Sequence, residues 1–140
     1  MARISVELPE SFRFSVRLPV YLLQVNNRNH LDNALLLTLV SEARVGFFAS
    51  LGFSELDVDG VGIVVADAAV QYRSEAHHGE TMCVSIDVAD FWEKGCDLVW
   101  RMDEADSGRS VAFGKTGIVF YDYAEKSARP VPPAFLERLA

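Results

Sequence analysis

The chain has 140 residues, half of them hydrophobic, and a formal net charge of -7. This length predicts a single domain over residues 1–140, and the apolar content excludes a chain that stays disordered for want of a core. Lys and Arg are dispersed and form no run, which excludes the basic surface typical of proteins that bind nucleic acids or anionic membranes. We therefore expect neither of those partners.

The first predicted element is a strand. Between Phe12 and Val20, apolar and polar residues alternate, which is typical of a strand with one solvated face. Pro19 has no backbone N–H to donate, so it indicates an edge position or a bulge near the end of this strand. The residues that follow, 24–30, are polar and irregular, and we expect them to form a loop.

A helix follows the loop. Either Asp32 or Asn33 can cap it, because a side-chain oxygen can accept a hydrogen bond from a free N–H of the first turn. The apolar residues continue to about Leu51, and Gly52 is a suitable terminator. They surround the helix almost completely, so we expect it to be buried on most sides. Glu42 is one of its few polar residues.

The sequence also predicts a compartment. The N-terminus has no basic segment followed by an apolar stretch, so it does not have the pattern of a secretory signal. The most apolar stretch, residues 34–51, is interrupted by Glu42 and Arg44 and is a poor membrane span. Cys83 and Cys96 lack metal-ligand spacing and are expected to be free thiols, unless the strands that carry them pair and permit a disulfide. We expect a cytoplasmic protein.

The second half of the chain predicts strands. Four apolar segments are separated by turn signals at 77–79, 93–95 and 106–108, and they cover residues 62–73, 81–89, 97–102 and 111–121. Two prolines introduce a short terminal helix at 134–139. The order of strand, apolar helix and four antiparallel strands predicts an α+β fold in which a curved sheet wraps around one long central helix.

Two stretches carry a resemblance to a known family: NNRNHLDNALLLTLVSEARVGFFASLG, residues 26–52, and GIVVADAAVQYRSEAHHGETMCVSIDV, residues 62–88. They resemble the hotdog-fold acyl-CoA thioesterases of the 4-hydroxybenzoyl-CoA thioesterase superfamily. The matching residues of the first stretch are His30, Asn33, Ala34, Glu42, Ala43, Arg44, Leu51 and Gly52. The resemblance implies a hotdog fold, an acyl-CoA substrate, and a homodimer or homotetramer with its site at the subunit interface.

The chain departs from the family at the catalytic acid. Many similar enzymes carry an aspartate four residues before the histidine, where this chain has Asn26. A subgroup with a more similar loop carries the acid six residues before the histidine, where this chain has Gln24. An amide cannot accept a proton at neutral pH, so the usual base is missing from both places.

Four residues of the loop and the helix are candidates for the chemistry, and a fifth is a candidate for substrate binding. Glu42 is the first candidate for base or nucleophile, with a structural or exposed glutamate as the alternative. Asp32 is the second carboxylate, or only the helix cap. His30 and Asn26 could orient water or the thioester, or only shape the loop. Asn33 could contact the substrate or brace the loop, and backbone N–H groups near His30 to Asn33 are the expected oxyanion donors.

The turn after the second predicted strand is the candidate binding region for CoA. Tyr72 and Arg73 begin it, His77 and His78 could approach phosphates, and Gly79 permits a close backbone approach. The alternative is a solvated turn without a ligand. The two adjacent histidines lack a partner with suitable spacing, so we expect no metal site.

The leading interpretation is an acyl-CoA thioesterase that needs no cofactor, since CoA enters as part of the substrate. The loss of the usual aspartate favours an alternative, a non-catalytic hotdog protein that binds acyl-CoA or another small ligand. Action on acyl carrier protein would require a basic docking rim, which the acidic composition does not indicate. A hotdog dehydratase is less favoured because the Asp/His spacing of its motif is not evident.

Overall fold

The computed structural model describes residues 3–140 and contains a single antiparallel sheet with two helices. The elements are β1 (Phe14–Pro19), a 3-10 turn (Leu22–Gln24), α1 (Leu36–Ser50), β2 (Gly62–Tyr72), β3 (Thr81–Trp92), β4 (Gly95–Glu104), β5 (Ser110–Asp122), β6 (Ser127–Ala128) and α2 (Pro133–Leu139). The sheet has the order β1-β3-β4-β5-β2, with the short β6 paired to β5. The predicted α+β hotdog architecture is confirmed. Only β6 and the 3-10 turn have no predicted counterpart.

Alternation along the strands decides which face of the sheet packs against α1. On β4, the side chains of Leu98, Trp100 and Met102 are buried in the core, whereas Asp97, Arg101 and Asp103, which alternate with them, are partly exposed. This is the period of two that the sequence predicts for this strand. The core therefore lies between one face of the sheet and the inner face of α1.

Helix α1 begins at Leu36, later than predicted. The Asp32 carboxylate accepts hydrogen bonds from the N–H groups of Ala34 and Leu35, at 2.9 and 3.3 Å, so a separate turn forms first. The N–H of Leu36 then donates to the carbonyl oxygen of Asp32. Asp32 thus caps this turn. At the other end, Gly52 has a φ of 86°, in the left-handed region that ends helices, as predicted.

The prediction that α1 is buried on most sides is wrong for the single chain. The sheet covers one face of the helix only, and the buried side chains are Leu36, Leu39, Val40, Ala43, Phe47 and Phe48. On the outer face, Val45 is 50% exposed and Glu42 is exposed. A helix that is apolar all round but covered on one side leaves an apolar outer face for another surface to cover.

The two sheet edges differ in length. β1 is short and ends at Pro19, which is exposed at the edge as predicted. β2 is an edge strand of 11 residues, with an irregularity between Val65 and Asp67 in its pairing with β5. Its unpaired backbone groups form an edge to which another strand can add.

The far end of α1 is closed by α2. Phe135 is fully buried and its ring stacks on that of Phe48, with centroids 5.8 Å apart. The guanidinium of Arg138 donates to the carbonyl oxygen of Leu51 at 3.1 Å, beside the end of the helix. Among residues 3–140, no helix is long and apolar enough to cross a membrane.

Both cysteines are free thiols. Their strands do pair, but Cys83 on β3 faces Asp103 in the register, and Cys96 lies seven residues earlier on β4. A disulfide between Cys83 and Cys96, which the sequence left open, is therefore excluded. Burial raises the pKa of the Cys96 thiol to about 12, and the neighbouring Asp97 carboxylate adds to the effect.

Candidate active site

The loop before α1 is shaped by an asparagine. The Asn26 side-chain oxygen accepts hydrogen bonds from the N–H groups of Arg28 and His30, at 3.0 and 3.2 Å. The N–H of Asn26 donates to the carbonyl oxygen of His30 at 2.8 Å, and Asn29 takes a positive φ of 61°. Asparagine tolerates that conformation better than most residues. Asn26 therefore has a structural role in presenting His30.

This loop lies against the connection between β2 and β3. His30 and His77 form an antiparallel backbone bridge, and their rings meet edge to face with centroids 5.2 Å apart. The Nδ1 of His77 lies 3.0 Å from the carbonyl oxygen of Asn29, and the N–H of His78 donates to the Asn29 side chain. The structure thus brings the predicted catalytic loop and the predicted CoA turn together, although they are far apart in sequence.

A cavity of about 350 Å³ opens where the two segments meet, and we call it the His30 cavity. Five of the predicted site residues line it, namely Asn26, His30, Asn33, Tyr72 and Arg73. The other lining residues are Leu31, Leu36, Ser74, Glu75, Ala76 and Val111. His77, His78 and Gly79 lie on the adjoining turn rather than in the lining. Asp32 and Glu42 are also absent from it.

The His30 cavity contains a carboxylate that the sequence analysis missed. The Nε2 of His30 lies 3.0 Å from a carboxylate oxygen of Glu75. The hydroxyl of Tyr72 donates to the carbonyl oxygen of Asn33 at 2.8 Å, which ties β2 to the residues before α1. The position of Glu75 within the turn predicted to bind CoA, two residues before His77, was the available signal.

Backbone donors near the cavity are fewer than predicted. Between residues 30 and 35, five N–H groups donate within the chain, those of His30, Leu31, Asp32, Ala34 and Leu35. Among the hydrogen bonds of residues 3–140, none is donated by the N–H of Asn33. This group lies just before α1, where the helix dipole favours negative charge. It is the oxyanion donor that this stretch can offer.

Glu42 lies in a different place, which we call the Glu42 groove. Its volume is about 340 Å³ and its lining residues are Leu18, Tyr21, Gln24, Thr38, Leu39 and Glu42. The side-chain N–H₂ of Gln24 donates to the Thr38 hydroxyl at 2.9 Å, and its oxygen accepts from the N–H of Tyr21. Glu42 forms no ion pair with any residue of 3–140. Within one chain, Glu42 and His30 therefore do not share a site.

A salt-bridged arginine holds the β2–β3 connection in place. The guanidinium of Arg109 donates to the Glu80 carboxylate at 2.9 Å and also to the carbonyl oxygen of Glu75. The other carboxylate oxygen of Glu80 accepts from the N–H of His77 at 2.8 Å. These bonds order a segment that has no regular secondary structure. They fix the backbone from which Glu75 and His77 reach the His30 loop.

Arg73 at the cavity and His78 on the adjoining turn are the candidates for contact with an anionic group. Arg73 is exposed, and its guanidinium lies 5.2 Å from the centre of the Phe113 ring, a distance at which a cation–π contact forms. His78 is exposed on the same connection. Gly79 has a φ of 91° and nothing within 4 Å of the place a side chain would occupy. An anionic group can approach this turn without steric hindrance.

Comparison with known families gives a match over most of the chain. The model of the thioesterase-like superfamily matches residues 20–139. A search of curated protein sequences gives no match. The matched range contains α1, all of β2 to β6 and every residue of the His30 cavity.

Solved structures with the same fold include three bacterial proteins. The PA2801 protein from Pseudomonas aeruginosa is 24% identical, with a TM-score of 0.83, over 93% of this chain and 100% of its own. The 1,4-dihydroxy-2-naphthoyl-CoA thioesterase from Synechocystis is 18% identical, with a TM-score of 0.81, over 90% and 94%. A Thermus thermophilus thioesterase, crystallised with coenzyme A and Zn, is 22% identical, with a TM-score of 0.77, over 92% and 98%.

Proposed function

The chain belongs to the thioesterase-like superfamily, and from this premise we propose that it is an acyl-CoA thioesterase, which hydrolyses an acyl-CoA to a free acid and CoA. One observation carries the proposal. The His30 cavity holds a histidine and a carboxylate 3.0 Å apart, and it is also lined by Asn33, whose N–H donates to no other residue of 3–140. Hydrolysis of a thioester requires a base and an oxyanion donor, and this cavity offers a candidate for each.

The N–H of Asn33 is the proposed donor to the thioester carbonyl oxygen. Attack on the carbonyl carbon converts this oxygen into an oxyanion, and a donor already in place stabilises it without further rearrangement. The Tyr72 hydroxyl supports the arrangement, since its bond to the Asn33 carbonyl oxygen restrains the backbone of this residue. Asn26 contributes by holding the loop that presents His30.

Glu42 can join this site only from a second copy of the chain. In its own chain it lies in the Glu42 groove, apart from the His30 cavity. We propose that two copies pair through their β2 edges, so that Glu42 of one faces the His30 loop of the other. The length of the unpaired β2 edge and the exposed outer face of α1 support such pairing. The expected assembly is a homodimer or a homotetramer.

The CoA portion would extend over the connection between β2 and β3. Arg73, His77 and His78 are the proposed partners of its phosphates, and Gly79 leaves room for them. The exposure of Arg73 and His78 supports this role, because neither must leave a buried position to reach a ligand. The Thermus structure with coenzyme A is consistent with a CoA ligand on this fold.

A second candidate function is binding without hydrolysis. It is favoured by the two amides that replace the usual acids, because both have structural partners. Asn26 accepts two loop N–H groups, and Gln24 bridges Tyr21 and Thr38. Under this alternative the cavity retains acyl-CoA or another small ligand and lacks a group that activates water.

Measurement of thiol release from a panel of short, long and aromatic acyl-CoAs separates the two functions. The wild type is run beside Glu42→Gln and Asn26→Ala, with circular dichroism to check the fold of each. We expect the wild type to release CoA from at least one substrate class. Retention of acyl-CoA without any release of thiol would reject the thioesterase and support the binding protein.

A further inference from the structure

The His30 cavity contains a carboxylate, Glu75, although positions 24 and 26 carry amides. We propose that Glu75 is a positioning residue that fixes His30 as the general base of thioester hydrolysis. The proposal rests on the proposed function and deepens it. Unlike Glu42, which would reach His30 only from a second copy of the chain, Glu75 lies beside His30 in the same chain.

The contact between the two side chains determines which ring nitrogen is basic. Nε2 of His30 lies 3.0 Å from the Glu75 carboxylate, which can only accept a hydrogen bond when ionised. The neutral imidazole therefore carries its proton on Nε2, and its Nδ1 keeps a lone pair that can accept a proton. The carboxylate also stabilises the imidazolium that forms when Nδ1 is protonated. This is the division of labour of a nucleophile-activating histidine and its carboxylate.

Backbone bonds place the pair independently of the side chains. The N–H of Leu31, the residue after His30, donates to the carbonyl oxygen of Ala76, the residue after Glu75, at 2.7 Å. The antiparallel bridge between His30 and His77 extends this connection by one residue. The guanidinium of Arg109 donates to the Glu75 carbonyl oxygen and restrains this segment further. Both segments are thus fixed before any substrate binds, as a site that acts by preorganisation requires.

The proposed step uses only water and the thioester. Nδ1 of His30 takes a proton from a water molecule as the water oxygen bonds to the carbonyl carbon, which gives a tetrahedral oxyanion facing the Asn33 N–H. The oxyanion collapses and the carbon–sulfur bond breaks, so that the sulfur leaves with the electron pair. The proton on Nδ1 passes to the sulfur. One water is consumed, and a carboxylic acid and the CoA thiol are formed.

The exposure of Glu75 makes its role testable without loss of the fold. Its side chain is 63% exposed, and ion pairs open to solvent contribute little to stability. A glutamine at this position can still accept a hydrogen bond but has no charge. A purely structural contact therefore survives Glu75→Gln, whereas stabilisation of the imidazolium does not.

The experiment compares steady-state hydrolysis of the best acyl-CoA by the wild type, Glu75→Gln and Glu75→Asp. The matched control is Glu125→Gln. Glu125 is an exposed glutamate that follows the end of β5, whereas the cavity residue Val111 lies near the start of this strand. We expect Glu75→Gln to lower kcat at least about tenfold, which is part of the roughly 100-fold or more that a general base contributes, with KM and Tm nearly unchanged. Glu75→Asp should restore part of kcat, and Glu125→Gln should match the wild type.

A second readout follows the histidine directly. The ¹⁵N chemical shifts of the His30 ring report which nitrogen carries the proton, and we expect Nε2–H in the wild type and in Glu75→Asp. Glu75→Ala should lower the fraction of the Nε2–H form, because no carboxylate then faces Nε2. If Glu75→Gln fails to fold, the aspartate variant decides, and absence of the Nε2–H form in it would overturn the proposal.

The outcomes separate this inference from the proposed function. A wild type that hydrolyses acyl-CoA and a Glu75→Gln variant with the same kcat would overturn the role of Glu75 and leave the thioesterase standing. A wild type that releases no thiol from the whole panel would overturn both. A large loss of kcat in Glu75→Gln supports the inference whatever Glu42→Gln does, because the two carboxylates have different roles.

Discussion

The His30 cavity and the Glu42 groove have nearly the same volume, about 350 and 340 Å³, and each contains a glutamate. They differ in how that glutamate is held. Glu75 lies 3.0 Å from an imidazole nitrogen, on a segment fixed by Arg109, whereas Glu42 is exposed and unpaired among residues 3–140. A carboxylate with a partner can act within one chain. Glu42 has no such partner among residues 3–140 of its own chain, so its part in the site depends on a second copy of the chain.

The largest effect that distinguishes the His30 cavity from the Glu42 groove is expected on removal of the His30 side chain. We expect His30→Ala to lower kcat by roughly 100-fold or more, since loss of a general base removes an effect of that size. The side chain is partly exposed, so circular dichroism and Tm should change little. The measurement is thiol release under saturating acyl-CoA. A variant that keeps wild-type kcat would show that the chemistry lies outside the His30 cavity.

The next test asks whether the Glu42 groove requires a second copy. Val65→Lys introduces a charge on the exposed β2 edge, where Val65 is 49% exposed, and should separate paired copies. We expect it to give monomers by light scattering. Its kcat should fall to that of Glu42→Gln, about tenfold below wild type, as expected for loss of a hydrogen bond to a charged group.

Full activity of a monomeric Val65→Lys variant would contradict the proposed role of a second copy at the Glu42 groove. In that case Glu42 would have no part in hydrolysis, and the His30 cavity would work within one chain. A wild type that is itself monomeric would overturn the proposed pairing of β2 edges.

A smaller effect is expected at the rim of the His30 cavity. Tyr72→Phe removes the hydroxyl that donates to the carbonyl oxygen of Asn33. A neutral hydrogen bond contributes about 1 kcal/mol, so we expect kcat/KM to fall roughly fivefold. The same change in the groove, Thr38→Val, loses the bond to Gln24 and should leave kcat/KM unaltered. Equal losses in both variants would remove the distinction between the two regions.

A third carboxylate, outside both regions, shows what full pairing does to stability. The N–H groups of Asp106 and Ser107 donate to the Glu104 carboxylate, and these bonds, the one from Asp106 above all, hold the pKa of Glu104 below its usual range. A lowered pKa stabilises the fold above the pKa of the unfolded chain. This contribution disappears as the pH falls through the pKa of the folded state.

We therefore expect Glu104→Gln to lower Tm at neutral pH and to have a diminishing effect as the solution is acidified. Thermal melts of the wild type and the variant at neutral and acidic pH measure the difference. A Tm difference that stays constant with pH would show that the ionised carboxylate contributes nothing. Ionisation of the neighbouring Asp103 has the opposite effect on stability. Burial raises the pKa of Asp103, so its ionisation opposes folding at neutral pH.

Much of the fold could be predicted because it is encoded locally. The alternation on β4, the proline at the end of β1 and Gly52 after α1 each act within a few residues of the feature they specify. The start of α1 was misplaced because Asp32 caps a turn, and a capping residue alone does not tell whether the next turn continues as helix. β6, with two residues, is too short to give a periodic signal.

The candidate site could be predicted only in part. Asn26, His30 and Asn33 lie close together in the sequence, so their grouping needed no knowledge of the sheet. Glu75 is 45 positions after His30, and its contact depends on how the β2–β3 connection meets the loop. The separation of Glu42 from His30 has the same origin, since it depends on which face of α1 the sheet covers.

The proposal that the thioester is cleaved in the His30 cavity is tested most directly by a crystal structure with an acyl-CoA analogue. In this analogue a methylene group separates the carbonyl from the sulfur. Such an analogue cannot be hydrolysed but keeps the carbonyl oxygen. We expect this oxygen at about 3 Å from the backbone nitrogen of Asn33, with the His30 ring beside the carbonyl carbon. A carbonyl bound in the Glu42 groove, away from Asn33 and His30 of either copy, would contradict it.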